Sequence, residues 1–106
     1  MKKKPKNNSH CYYIAGKVTG EDYLKVQRKF NDAEHIVVFD YGAESIINPT
    51  KLCKVTWSWY RCMAVCLYHL IFKADVLYLL NDWNKSRGCG VEVFFAILTR
   101  KLIVLQ

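Results

Sequence analysis

Asp75-Val76-Leu77-Tyr78-Leu79-Leu80, then Asn81 to Gly90, then Val91 to Thr99, is the stretch on which the fold turns. The first six residues make an apolar run of strand length with no polar alternation, which reads as a strand buried on both faces. Asn81, Asp82, Asn84, Ser86, Gly88 and Gly90 then crowd ten residues with turn formers, and the apolar run from Val91 to Thr99 has helical length. Strand, loop and helix in that order are half of a βαβ unit.

The same order extends outward in both directions. Trp57 to Lys73 has the length and apolar density of a largely buried helix, and a polar connector precedes it up to about Thr56. Ser45-Ile46-Ile47-Asn48-Pro49 reads as a strand closed by its proline. Before it, Tyr23, Val26, Phe30 and Ala33 recur at helical spacing with Lys25, Arg28 and Lys29 between them, an amphipathic helix opened by Glu21 and Asp22. The spacing favours continuing that helix through Ile36 to Phe39 to a break at Gly42; a separate strand over 36–39 is the alternative. Cys11-Tyr12-Tyr13-Ile14-Ala15 is a short buried strand ending at Gly16, and Leu102 to Leu105 a last one. Four strands alternating with three helices predict an α/β domain over residues 11–106, a three-layer sandwich with a short parallel sheet, right-handed crossovers and helices on both faces.

The chain has 106 residues, 52% of them hydrophobic, enough for one small domain that buries somewhat under ~70% of its surface. Its net charge of +7 is concentrated at the start, in Lys2, Lys3, Lys4 and Lys6, and the rest carries +3. Residues 1–10 therefore read as a disordered basic tail, and no basic, aromatic-interleaved face for specific nucleic-acid binding is evident. Pro5 to His10 follow the lysines where a secretory signal needs an apolar run. Within the apolar stretch Met63 to Leu80, Lys73 and Asp75 would each cost about 2.5–3.5 kcal/mol in a bilayer, so no membrane span is expected. The five cysteines are odd in number with no C-x-x-C pair. Cys62 and Cys66, one turn apart, read as two small buried thiols, a metal site being the remote alternative. These features together predict a cytoplasmic protein.

Ligands of open parallel sheets bind beyond the carboxyl ends of the strands. Two glycine-bearing loops leave such ends. Ser86-Arg87-Gly88-Cys89-Gly90-Val91-Glu92 combines glycines that admit a close ligand, a hydroxyl and backbone N–H groups suited to a phosphate or carboxylate, and Glu92 in the first turn of the following helix. An ordinary glycine turn with a helix-stabilising glutamate is the plain alternative. The loop Gly16-Lys17-Val18-Thr19-Gly20, preceded by Tyr13, offers a cation and a hydroxyl for a sugar-phosphate, or is simply a tight turn. It lacks the G-x-x-x-x-G-K-[ST] pattern. Trp57 and Trp83 are candidates to stack on a base, although such residues also cap cores.

Tyr13-Ile14-Ala15-Gly16 with Thr19-Gly20, then Asn48-Pro49, then Ala74-Asp75, then Trp83, Ser86, Gly88 and Glu92 resemble, in order and spacing, the nucleoside 2-deoxyribosyltransferase-like superfamily, particularly its small bacterial and phage branch. The resemblance covers residues 12 to 105. It implies a flavodoxin- or Rossmann-like fold with strand order 2-1-3-4 and cleavage of the N-glycosidic bond of a deoxynucleoside or its monophosphate. Glu92 would be the nucleophile; Ser86, Gly88 and Gly90 would hold phosphate or sugar, and Tyr13, Gly16, Lys17 and Thr19 would face base and sugar. No cofactor or metal is implied, and the assembly would be a homodimer or larger. The chain departs from the pattern at Leu67, where catalytic members carry an aspartate: no carboxylate occurs between Trp57 and Ala74. A catalytically idle nucleotide-binding module and a purely structural homo-oligomer are the alternatives.

Overall fold

The computed structural model describes residues 10–18, 20–54 and 56–106. The expected basic tail, His10 apart, lies outside the described residues, as does Thr19. The elements run β1 (Cys11–Ala15), α1 (Tyr23–Tyr41), β2 (Ser45–Ile47), α2 (Pro49–Leu52), α3 (Trp59–Phe72), β3 (Val76–Leu79), a 3-10 turn (Trp83–Lys85), α4 (Arg87–Leu98) and β4 (Leu102–Leu105). All three strand pairings are parallel and the sheet order is β2-β1-β3-β4. Among the described residues no helix is long and apolar enough to cross a membrane.

Period-two alternation divides the core. Tyr12, Ile14, Val76 and Tyr78 point to one face, where α1 covers them with Val26, Phe30, Ala33 and Val37. Tyr13, Ala15, Leu77 and Leu79 point to the other, where Cys66 and Leu70 of α3 and Cys89 and Ala96 of α4 meet them. The central strands β1 and β3 are buried on both sides, as an unbroken apolar run requires.

The long reading of α1 is the right one: it runs through Ile36 to Phe39 and ends where Gly42 takes a left-handed φ of 71°. There the Gly42 N–H donates to the Val38 carbonyl and the Ala43 N–H to that of Val37. Most ends shift by one or two residues, and two differences from the sequence reading have a clear capping cause. Asn48 does not end a strand but caps α2, a turn hidden in the expected polar connector; its side chain accepts from the Thr50 N–H at 3.0 Å, and Pro49 fills the first helical position, where it needs no N–H. The last helix begins at Arg87 rather than Val91, because the Ser86 hydroxyl accepts from the Cys89 N–H at 3.2 Å and starts it early.

Candidate functional site

With this strand order the chain leaves β1 to one side and returns on the other, so the switch point lies between the carboxyl ends of β1 and β3. A cavity of about 310 Å³ opens there, walled by the end of β1, by α1, by Pro49, Thr50, Cys53, Lys54, Trp57 and Ser58, and by the starts of α3 and α4. This is the lower end of the ~300–1,000 Å³ typical of small-molecule clefts, room for one ligand of nucleoside size.

Glu92 lies at its floor. The early start of α4 places it in the second turn, not the first, and it is buried, 6% exposed. The Tyr13 hydroxyl, itself fully buried, donates to Glu92 Oε2. Burial pushes the Glu92 carboxyl up to about 7, against the opposing effect of the Tyr13 hydrogen bond. Burial, and then the neighbouring Glu92, hold the Tyr13 phenol well above its ordinary value. At neutral pH the pair is therefore a carboxyl poised between its two forms and a phenol that remains a donor.

Two of the three candidate glycines also carry packing work. A Cβ on Gly16 would lie 2.5 Å from Leu80 Cδ1, so this position is reserved for close packing of the ends of β1 and β3, and it borders the cavity as well. Gly88, within the first turn of α4, lets that helix approach α3: an added Cβ would meet Met63 Sδ at 3.2 Å. Gly90 points to open space, with nothing within 4 Å, and its N–H donates to the Ser86 carbonyl.

Gly16, Trp57, Ser86, Gly88 and Glu92 thus border one cavity, and Tyr13 reaches it through Glu92. Lys17, Gly90 and Trp83 are not among its walls; Trp83 packs against the core beneath α3 and α4. The Lys17 N–H donates to Asp82 Oδ1 at 3.1 Å. Lys29, read from sequence only as one of the basic residues between the apolar positions of α1, bolts this region together: its ammonium donates to the Lys17 carbonyl at 2.8 Å and to Asp82 Oδ2 at 2.6 Å. Burial alone would raise the Asp82 carboxyl, but these donors outweigh it and hold the group below its ordinary value. One face of Trp57 is occupied by the Arg61 guanidinium, 4.4 Å from the ring centroid.

The sequence reading missed the sulfur wall. Cys62 is not a free thiol: it is joined to Cys53 in a disulfide, and Cys66 lies beside both. Counting along α3 pairs Cys62 with Cys66, but a third cysteine arrives from the connector after α2, whose short helix turns Cys53 back onto α3. Lys54 and Met63 also line the cavity unforeseen, and Trp59 stands beside Trp57 in its wall. Glu92 is the one carboxylate among the described lining residues.

Residues 10–105 match the family described as "domain of unknown function (DUF4406)", and the chain belongs to it. Among curated proteins and among solved structures, none matches the chain.

Proposed function

We propose that this protein acts on the N-glycosidic bond of a deoxynucleoside or deoxynucleoside monophosphate, with Glu92 as the nucleophile. The observation that carries this reading is a buried carboxyl, hydrogen-bonded to a buried phenol, at the floor of a nucleoside-sized cavity at the switch point. In its ionised form Glu92 attacks the anomeric carbon; a carbon–oxygen bond forms, the carbon–nitrogen bond breaks, and its electron pair leaves with the base. Water, or a second base, then displaces the carboxylate. The Tyr13 hydroxyl orients the attacking oxygen. Apolar walls from Phe30, Pro49 and Trp59 suit a base, and Ser86, the first amides of α4 and the Lys54 ammonium suit a 5′-phosphate.

A second reading, nucleotide binding without turnover, is favoured by one observation: no other carboxylate lines the described cavity to protonate the leaving base. General acid catalysis typically contributes ~10²–10⁴-fold, so its lack slows the reaction without removing the nucleophile. The test is chromatography of free base after incubation with deoxynucleosides and their 5′-monophosphates. Release lost in Glu92→Gln supports the enzyme; thermal stabilisation by nucleotide without release supports the binding module; neither response refutes both. Adding a different free base and finding a new nucleoside distinguishes transfer from hydrolysis.

The proposed setting is the cytoplasm, as a homodimer or larger assembly. Tyr60, Tyr68 and Phe72 of α3 and Phe94, Ile97 and Leu98 of α4 expose apolar surface on the outer side of this layer, which a second copy would cover. Sedimentation equilibrium measures it directly.

A further inference from the structure

Three sulfur atoms converge on one side of the cavity. Cys53 and Cys62 are bonded to each other, and Cys66 Sγ lies 3.6 Å from Cys53 Sγ and 3.8 Å from Cys62 Sγ. All three ligand atoms fall within 4.8 Å of one another. A tetrahedral thiolate site with metal–sulfur bonds of ~2.3 Å has sulfur–sulfur edges of about 3.8 Å. Two of the three edges of such a face are therefore already in place, and only the third, now a covalent bond, has to lengthen.

Disulfide exchange is the other chemistry open to a thiol beside a disulfide. It requires Cys66 as thiolate before the attack. A soft cation has no such requirement beforehand, because it displaces the protons as it binds.

We propose that the reduced protein holds one thiophilic d10 cation, of the Zn(II) or Cu(I) kind, on Cys53, Cys62 and Cys66, and that the Cys53–Cys62 disulfide is the closed form of this site. A dithiol supplies the two electrons and two protons that open the bond, and is itself oxidised to a disulfide. The cation then replaces one proton on each of three thiols. Three sulfur ligands leave one position of a tetrahedral ion open, and since all three cysteines border the cavity, that position faces it. The reducing interior of a cell favours the open form and an oxidising compartment the closed one.

Titration with Co(II), a spectroscopic stand-in for Zn(II), tests this without nucleotide, so its outcome is separate from that of the Glu92 chemistry. The full chain is reduced with a dithiol, freed of it by anaerobic gel filtration, and titrated beside the untreated protein. The expected result is one equivalent bound with thiolate-to-metal charge-transfer absorption in the reduced form only, bleached by Zn(II) or Cu(I). Cys66→Ser should weaken binding by more than the ~10–100-fold that loss of an outer-shell partner costs, and Cys11→Ser should leave it unchanged. Cys62→Ser, at a half-buried position, serves in place of Cys66→Ser if the latter unfolds by circular dichroism. No charge-transfer band in the reduced wild type, or an equal band in the disulfide form or in both serine variants, overturns the proposal.

Discussion

Tyr12 and Tyr13 are neighbours in β1, yet they serve opposite sides of the sheet. Tyr12 meets Tyr41 at a tilt and Tyr41 meets Tyr78 edge-on, with centroids 6.0 and 5.7 Å apart, under a helix whose buried side is wholly apolar. Tyr13 turns to the side where a carboxyl, a disulfide and two buried thiols share space with the core. The α1 side contributes chiefly stability, with Tyr23 and Phe30 alone of its helix reaching the cavity wall. The α3–α4 side gives some of it up, because a buried carboxyl at its centre opposes folding whenever it is charged.

The sharpest way to break this contrast is at Glu92. Glu92→Gln should reduce base release to background, and at the same time stabilise the protein above neutral pH. A carboxyl raised from 4.5 to about 7 binds more protons folded than unfolded between those values. Its stabilising contribution is complete below pH ~4.5 and lost as pH rises through ~7, by about 3 kcal/mol at ~1.4 kcal/mol per unit. The difference in urea unfolding free energy between wild type and Glu92→Gln, followed from pH 4 to 8, should show that slope. Activity should have the opposite sign, rising as the carboxyl ionises through about pH 7.

Ile14→Ala strikes the other side. It removes a fully buried side chain under α1 and should cost ~2–5 kcal/mol by urea denaturation, while base release per folded molecule stays at the wild-type rate. Gly16→Ala tests the seam where both sides meet. Its methyl group must displace Leu80, a loss of ~1–3 kcal/mol visible as a lower Tm. Smallest of all, Gly90→Ala should raise stability by ~0.5–1 kcal/mol, since the position is helical, exposed and unobstructed; a loss there would contradict the open surroundings of this helical position.

The sequence was most legible where one signal dominated. The unbroken apolar run at β3 and the helical spacing of Val26, Phe30 and Ala33 placed the sheet and α1, and Gly42 marked the end of that helix by its φ. Capping overrode composition elsewhere: Ser86 starts α4 ahead of two glycines that read as loop, and Asn48 starts a helix where a strand was expected to close. That Glu92 and Ser86 would lie together at the strand ends was legible because they follow β3 within one loop and helix start, and both do line the cavity. The Cys53–Cys62–Cys66 cluster and the Lys29 bolt were not legible, since each depends on how separate elements cross in space, a relation that spacing along the chain does not encode.

The most direct test of Glu92 chemistry is mass spectrometry after incubation with a 2′-fluoro-arabinosyl nucleoside, whose fluorine slows breakdown of a glycosyl ester. A single added sugar mass on the peptide carrying Glu92, absent from Glu92→Gln, is the predicted result. Protein that binds this analogue yet keeps its unmodified mass, or bears the sugar on another residue, would contradict Glu92 as the nucleophile.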